Sequence, residues 1–358
     1  MAWQFDSWFC SNRRDNFRYV EVDRLTMADI KEISEIEETG GNVEFQDLTA
    51  LKVKARLPYV GNFDIGNNYL RIYSQSHLGD ESTEILHGTF IASRPQTDYS
   101  GAVARGELDC YSLLQLAEET KIGESVTYGE GTSPVSQAKT LLEEAGLTVL
   151  SDESDMTLST PRTYDTGESY LEVANDLLSI AGFSSVGINA MGSAVLRLYT
   201  DPSKRAASVT LSDATPHVIY SPIVTHDFDI FDVPNKVVAV YSNPDELAGM
   251  SAVAINNDPQ SVYSYVSRGR WIEHTEEVNE VENEEALQAL ADRILVNKSS
   301  SVESVELEHS YLPYAMGDNV QLEYTTHALD FLGTAVNKTI SLTRGMPCKA
   351  RLRRFVRM

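Results

Sequence analysis

Apolar and polar residues alternate in short runs along the first 112 positions, and these runs predict β-strands. Residues 51–57 read Leu-Lys-Val-Lys-Ala-Arg-Leu, so apolar and basic side chains follow the period of two that is typical of a half-buried strand. Further strands are predicted at residues 69–74, 84–93 and 102–110. The pattern therefore predicts a β domain over residues 1–112.

Helical spacing of apolar residues replaces this alternation in the next part of the chain, residues 113–206. Ser133 supplies an N-cap, Pro134 a first helical residue, and Gly146 ends the helix that they start. A second helix is predicted at 166–181. A short helix and a final strand are predicted at residues 111–120 and 195–199. These elements predict a small α/β insert, in which the inward-facing helix positions are Val135, Ala138, Leu141, Leu142, Ala145, Tyr170, Leu171, Val173, Ala174, Leu177, Leu178 and Ala181.

The last part of the chain, residues 207–358, is predicted to be a second β domain with one helix. Strands are predicted at residues 236–241 and 262–273. Asn283 is expected to cap a helix over 284–296, whose acidic start suits the positive end of the helix dipole. The sequence thus predicts an α+β fold, mainly β, in which two β domains flank the insert.

Two distant stretches repeat one pattern of turn residues. One begins Gly-Asn-Asn and the other Gly-Asp-Asn, and each has a tyrosine seven positions after its first glycine. A Gly-Thr pair and a single glycine follow, 13 residues apart in the first copy and 12 in the second. We interpret them as copies of one strand-loop-strand-turn-strand unit, with chance resemblance between common turn sequences as the alternative. The predicted turn positions are Gly66, Gly88, Gly101, Gly317, Gly333 and Gly345.

The formal net charge of −24 is distributed unevenly over the 358 residues. Residues 338–358 contain seven Lys or Arg and no Asp or Glu, so the rest of the chain carries −31. A protein this acidic is expected to repel nucleic acid. The basic end is either a solvated strand or a contact for the acidic surface of a neighbour. The candidate residues for a subunit or tube-partner interface are Arg344, Lys349, Arg351, Arg353, Arg354 and Arg357.

No group of residues in the sequence has the spacing of a catalytic or metal site. His226, Asp227 and Asp229 bring an imidazole close to carboxylates, but a polar turn explains them better because no second ligand group has helical or strand spacing. The acidic run from Asp152 to Asp155 resembles the start of a calcium loop but lacks its glycine and final glutamate. Nucleophile-elbow and phosphate-binding motifs are absent. We therefore expect no enzymatic activity, no catalytic residue, no metal and no cofactor.

The cysteines and the hydropathy of the chain restrict where the protein is expected to work. Three widely separated cysteines argue against a disulfide framework. No apolar run reaches the length of a membrane span, and the first residues lack the apolar core of a signal peptide. We expect a soluble protein that is not exported by the standard route.

Seven stretches, each a weak motif alone, follow one another in a characteristic order. They are 86–95 (LHGTFIASRP), 107–114 (ELDCYSLL), 137–146 (QAKTLLEEAG), 165–182 (DTGESYLEVANDLLSIAG), 232–242 (DVPNKVVAVYS), 267–270 (SRGR) and 317–320 (GDNV). As an ordered set, which covers most of the chain, they resemble the hub proteins of tailed-phage tail tips and baseplates. That family includes the central hub of contractile-tail phages and the N-terminal hub region of siphophage tail-tip proteins.

The resemblance implies two related tail-tube-like β-barrel domains in each chain, and a trimer that presents six of them as a pseudo-sixfold ring. Such a ring continues the hexameric tail tube and adapts sixfold to threefold symmetry at its distal end. The implied location is the virion tail tip, after assembly in the bacterial host cytoplasm. Because the chain stops after its second β domain, we expect cell-wall cleavage and host binding to belong to other chains.

The resemblance also implies a set of partners. These are two further copies of the chain, the distal tail or tube protein ring, the tape measure protein and other tail-tip or receptor-binding proteins. DNA is expected to pass through the lumen without specific binding, since the acidic surface repels it.

Two other function classes stay open on the sequence. An intracellular hydrolase would require His226, Asp227 and Asp229 to converge with a further ligand in a deep pocket. A carbohydrate-binding β protein would show an exposed platform of aromatic rings. The hub interpretation requires instead that both repeat domains are barrel-like and superpose on each other.

Overall fold

The fold is mainly β, with a minority of helical residues, as the sequence predicts. Among the residues described below, no helix is both long and apolar enough to cross a membrane. The structure is a computed structural model that describes residues 13–62, 64–200, 205–214, 218–219, 221, 223–228, 231, 233–241, 250–278, 284–299 and 303–354.

The first β region is an antiparallel array of seven strands in the order β2-β1-β5-β6-β7-β4-β3. The strands are β1 Arg14–Val22, β2 Asp29–Glu32, β3 Gly41–Gln46, β4 Val53–Val60, β5 Tyr69–Leu78, β6 Glu81–Ser100 and β7 Val103–Ser112. In β4 the side chains of Val53, Ala55 and Leu57 are buried while those of Lys54 and Arg56 are exposed. The alternation in the sequence therefore predicts this strand correctly.

The insert packs its helices around one apolar core. Its elements are α1 Leu114–Glu119, β8 Val126–Tyr128, α2 Pro134–Glu144, β9 Val149–Ser151, β10 Arg162–Tyr164, α3 Tyr170–Ile180, β11 Gly187–Ile188 and β12 Ala194–Leu196. Ser133 caps α2 as predicted. Helix α3 starts four residues later than predicted, because Ser169 and Glu172 form a capping box there. The predicted apolar positions of both helices lie in this core, with Ala145 and Tyr170 at its edge.

The second β region contributes the remaining strands of the large sheet. They are β13 Ala207–Ser212, β14 Thr225–Phe228, β18 Glu303–Ser310, β19 Asn319–Tyr324, β20 Leu329–Leu342 and β21 Pro347–Arg354. β19, β20 and β21 form an antiparallel meander, and β18 and then β14 extend it beyond β21. β13 adds to β19 in parallel.

Strand β20 joins the two β regions. Its first half pairs with β19, and its second half, Asn337 to Leu342, pairs with β3. This pairing makes one sheet of 13 strands from both regions. The expectation of two β-barrels is corrected here, because the described strand pairings close no barrel and instead fuse the two regions edge to edge. Residues from both regions share one core, in which Ile340 and Leu342 pack with Val43 and Leu57.

A second α/β unit, which the sequence prediction assigned to the β domain, lies between β14 and β18. Its elements are β15 Lys236–Tyr241, β16 Met250–Ile255, α4 Tyr265–Arg268, β17 Glu273–Val278 and α5 Glu284–Ser299. The strands form a separate sheet in the order β16-β15-β17. Helix α5 packs on one face of that sheet around a core of Val237, Ala239, Ala252, Ala254, Leu287, Ala291 and Leu295. The bounds of β15 and the start of α5 are those predicted, while Asn283 lies outside the described residues.

The prediction of a strand over 262–273 is wrong. This segment forms the short helix α4, which Ser264 caps and Gly269 ends in the left-handed conformation, at a φ of 64°. The reason is local hydrogen bonding: the Ser264 and Ser267 hydroxyls both donate to the Ser261 carbonyl, and such bonds compete with an extended backbone.

The two repeat copies occupy the same kind of three-stranded meander, β5-β6-β7 and β19-β20-β21. Gly66 and Gly317 precede the first strand of each meander, and Gly101 and Gly345 lie between the second and third strands. All four have positive φ values, between 56° and 84°, which glycine adopts without strain.

Gly88 and Gly333 do not lie in turns, so this part of the turn prediction is wrong. Both lie inside a strand, and each is covered by the ring of a phenylalanine two positions away on the same strand face. An added Cβ would lie 2.5 Å from the Phe90 ring at Gly88 and 2.4 Å from the Phe331 ring at Gly333. The glycines are therefore places where a buried aromatic ring folds over the backbone.

Filling the space above Gly333 is expected to destabilise the protein. Gly333→Ala forces Phe331 and the Arg353 carbonyl, 3.1 Å from the added Cβ, to move, and overpacking of this kind typically costs about 1–3 kcal/mol. Gly123→Ala is the matched control because an added Cβ there meets nothing within 4 Å. Urea unfolding of both variants measures the difference, and equal stabilities would show that Phe331 yields without cost.

Candidate functional site

The basic residues singled out in the sequence lie on and beside β21, which is an interior strand between β18 and β20. Arg344 is exposed in the turn before this strand, and Lys349 and Arg351 are exposed on one face. Arg353 and Arg354 are half-buried at its end. Arg357 lies outside the described residues. The side chains alternate between the two faces up to Arg353, because Leu352 is fully buried on the other side.

The neighbouring strand β18 supplies carboxylates to this basic strand. Residue pairing places Lys349 opposite Glu308, Arg351 opposite Glu306 and Arg354 opposite Glu303. Arg351 Nε lies 3.7 Å from Glu306 Oε1, and Arg354 Nη1 lies 3.4 Å from Glu303 Oε2. Opposite charges across a strand pair stabilise it modestly. Part of the basic charge is thus neutralised within the chain, and Arg344 and Lys349 are the more exposed remainder.

The histidine cluster considered for chemistry is part of the same charge network. His226 Nε2 lies 2.8 Å from Glu303 Oε1, and Asp227 lies 4.0 Å from Arg351. Asp229 lies outside the described residues. Within the described ranges, no three His, Cys, Asp or Glu side chains are grouped as a metal site. The geometry makes His226 a partner of a strand carboxylate.

A buried lysine marks the junction between the two β regions. Lys338 Nζ donates to the Tyr314 carbonyl oxygen at 2.6 Å. It lies 4.3 Å from the ring centroid of Tyr314, 5.3 Å from that of Phe45 and 5.6 Å from that of Tyr311. It makes no ion pair with the described residues, so its positive charge is stabilised by the three ring faces and one carbonyl oxygen. Burial lowers the pKa of Lys338 to about 8.

Two buried histidines flank this lysine, both on strands of the large sheet. His87 Nε2 is hydrogen-bonded to Ser74 Oγ at 2.8 Å, and its ring meets Tyr311 edge to face. His309 donates from Nδ1 to the Ser310 carbonyl, so its Nε2 accepts from the Tyr314 hydroxyl at 2.8 Å. Burial, with the Lys338 charge as a further cause, lowers the pKa of His87 to about 3 and that of His309 to about 4. Both rings are neutral at pH 7.

An open cleft of about 1120 Å³ lies above this junction, between the insert and the two β regions. Its wall includes more cations than carboxylates, with Asp47, Asp152 and Asp318 as the acidic members. Burial and the nearby Arg351 charge lower the pKa of Arg353, one of the lining cations. Of the residues considered for a hydrolase, His226 and Asp227 do not line the cleft, and Asp229 lies outside the described residues. The lining cations are Lys52, Arg197, Arg205, Lys338 and Arg353.

Sequence reasoning missed the junction because it counted Lys338 only as one charge of the basic end. A signal was present, since Lys338, Ile340 and Leu342 have the spacing of one strand face and the latter two are apolar. A lysine on an apolar strand face predicts a buried charge that needs ring or carbonyl partners.

Comparison with solved structures identifies the fold. Over 94% of this chain and 96% of the other, the structure matches a tail protein from Neisseria meningitidis MC58, with a TM-score of 0.67 and 14% identity. A 43 kDa tail protein of prophage MuSo2 from Shewanella oneidensis matches over 95% and 98% of the two chains, with a TM-score of 0.66 and 12% identity.

This chain has the fold of phage tail proteins. The same fold extends to an Escherichia coli type VI secretion component described as similar to the T4 bacteriophage tail proteins gp27 and gp5, with a TM-score of 0.50, 10% identity, and coverage of 90% of this chain and 75% of the other. The resemblance to the tail-tip and baseplate hub family is thereby confirmed at the level of fold. No protein-family model and no curated protein sequence matches the chain.

The junction histidines are expected to make the fold acid-sensitive. The unfolded chain binds protons at these imidazoles as the pH falls through 6.5, whereas the folded chain resists until about 4 for His309 and about 3 for His87. The contribution of these two histidines to the free energy of unfolding is therefore fully present above pH 6.5. Below that pH the free energy of unfolding falls, by up to about 1.4 kcal/mol per pH unit for each histidine. Urea unfolding at pH 7.5 and pH 5 measures this decline.

His87→Gln keeps a hydrogen-bonding group toward Ser74 and removes the titration, so it should flatten the pH dependence. The matched control is His327→Gln, at an exposed position, which should leave the dependence as in the wild type. Equal slopes for both variants would show that His87 does not carry the acid sensitivity.

Proposed function

We propose that the protein is a structural hub of a phage tail tip or baseplate. The observation that carries the proposal is that two similar three-stranded meanders are fused into one sheet through β3 and β20, within a fold shared with tail proteins over nearly the whole chain. The meanders are duplicated tube-type units in this interpretation, with matched glycines at Gly66 and Gly317 and at Gly101 and Gly345.

The duplication has a physical use in a tail. Three chains with two equivalent units each present six units to a hexameric tube, so the trimer continues the tube and adapts sixfold to threefold symmetry. Edge-to-edge pairing of the units within one chain also fixes their spacing, which such a ring requires. The tube-type units of neighbouring chains complete the closed ring that a single chain leaves open.

The proposed domains are residues 1–112 and 207–358 as the two tube-type regions and 113–206 as the insert. Within the second region, the α/β unit of β15, β16, β17 and α5 has an apolar core of its own. The proposed partners are two further copies, the distal tail or tube ring, the tape measure protein and other tail-tip or receptor-binding proteins.

The proposed role is structural and not catalytic, at the virion tail tip after assembly in the host cytoplasm. The net charge of −24 supports a lumen through which DNA passes without adhering. In this proposal, the junction with its two neutral histidines and the buried Lys338 holds the two units in register.

The purified protein is expected to form rings with threefold symmetry and six peripheral lobes of similar size around the axis. Electron-microscopic class averages, combined with light scattering for the mass of the particle, check this. A particle with no threefold class at any protein concentration would contradict the hub proposal, whereas three lobes in place of six would contradict the duplication.

Charge reversal at the exposed basic positions is expected to weaken assembly. Arg344→Glu, in the exposed turn before β21, should leave the monomer folded but weaken the trimer or its binding to the tube ring, most strongly at low salt where repulsion is unscreened. Arg351→Glu with Arg354→Glu is the comparison, and it should lower monomer stability because Glu303 and Glu306 face these positions. Wild-type assembly of the first variant at low salt would identify the basic end as a solvated strand.

A further inference from the structure

An exposed aromatic surface lies on the second α/β unit, at one end of its sheet. Trp271 and Tyr265 stack with ring centroids 4.2 Å apart, and Arg270 lies over the ring of Phe231 at 4.5 Å. Phe231 is 65% exposed, Trp271 45% and Tyr265 38%. Ile255, Val262 and Val266 of the same unit are also exposed, and we name these apolar residues together with the rings and Arg270 the aromatic patch.

The patch is held rigidly by buried polar groups beneath it. The Asn235 side chain donates to the Arg270 carbonyl and accepts from the Ile272 amide, which fixes the backbone on both sides of Trp271. The Tyr265 amide donates to the Asn256 carbonyl, and Asn256 is itself buried. Such preorganisation lowers the entropy that binding costs. Exposed Trp, Tyr and Arg on a rigid support are the composition of a protein-binding hot spot.

A sugar platform is a poorer description of these rings. Trp271 and Tyr265 stack on each other with an interplanar angle of 21°, so each covers one face of the other. A platform for a carbohydrate chain instead leaves ring faces open side by side. The charge nearby also favours a protein: residues 259–272 contain Arg268 and Arg270 and no carboxylate, in a chain of −24.

The charge of the patch argues against self-pairing through a twofold axis, because that would bring the arginines of two copies together. A head-to-tail contact, in which the patch meets a different surface of the next copy, avoids this and closes a ring. The complementary surface must be apolar in the middle and acidic around it.

The insert offers such a surface directly after β9, an edge strand of its small sheet. Leu150 and Met156 are each 51% exposed, which is unusual for apolar side chains of this size. Between them lie Asp152, Glu153 and Asp155, all exposed, with no basic residue in the segment. This is the acidic run whose sequence resembles half a calcium loop. Its apolar ends and acidic centre match the aromatic patch and the exposed Arg270.

We propose that the aromatic patch of one chain binds the 150–156 segment of a neighbouring copy and that this contact holds the hub trimer together. The assignment rests on the proposed hub function and names the surface that serves it. Aromatic burial supplies most of the affinity, and Arg270 facing the acidic segment selects the partner and its orientation.

Sedimentation equilibrium of the full chain tests the aromatic contact. Tyr265→Ser with Trp271→Ser should raise the trimer dissociation constant on the order of tenfold or more, as expected for central aromatic anchors. Tyr99→Ser is the matched control, because Tyr99 is 76% exposed on β6 in the first β region, and it should assemble as the wild type. Circular dichroism establishes that each variant is folded. Wild-type assembly of the serine pair would overturn the proposal while leaving the hub function intact.

A charge exchange tests the partner. Arg270→Glu should weaken the trimer, and adding Glu153→Arg and Asp155→Arg to the same chain should restore it. Arg105→Glu, at an exposed position of the first β region, is the charge-matched control. Loss without restoration would overturn the assignment of the 150–156 segment and point to a different protein as occupant. A wild-type chain that sediments as a monomer at every concentration would overturn this contact and the trimer together.

Discussion

The pairing of β20 with β3 is the constraint on which the rest of the structure depends. Six residue pairs hold the two β regions edge to edge, and Ile340 and Leu342 on the same strand pack into the core that the regions share. At the same place a lysine is buried among three aromatic rings and two neutral histidines. A buried cation without an ion pair is costly to place anywhere else, so it favours this register over slipped alternatives. The same arrangement makes the junction sensitive to any further positive charge.

Local patterns predicted most elements of the fold, because the burial of each side chain follows the period of its own helix or strand. β4 and β15 and the apolar faces of α2 and α3 are examples, and their signals lie within 6 to 11 consecutive residues. The β20–β3 pairing has no such local signal. Its strands are separated by about 290 residues, and a strand of a closed barrel has the same alternation as a strand that joins two regions of one sheet. The prediction of separate barrels failed for that reason.

The candidate site was predictable in composition but not in arrangement. The run of arginines predicted the basic strand, which is β21. The spacing of Glu303, Glu306 and Glu308 in β18 indicates neither which residues of β21 lie opposite them nor whether the two strands run antiparallel. Gly88 and Gly333 were predicted to lie in turns. A glycine under an aromatic ring inside a strand and a glycine in a turn look the same in the sequence, so the prediction could not separate them. The aromatic patch depends on Asn235, which is more than 30 positions away from Trp271 in the chain, and such a contact is visible only in the folded structure.

The late position of β20 in the chain also determines when the large sheet can form during synthesis. β3 is made near the start, yet the strand that covers its edge emerges about 290 residues later. At the usual rate of translation this leaves a row of backbone amides and carbonyls open for roughly 15 to 60 s. An open edge of this kind recruits any other strand that reaches it, including the same strand of a second nascent chain. The exposed residues beside this edge, Asn42 and Leu48, and the short length of β3 therefore matter to the chain during its synthesis as well as to the folded protein.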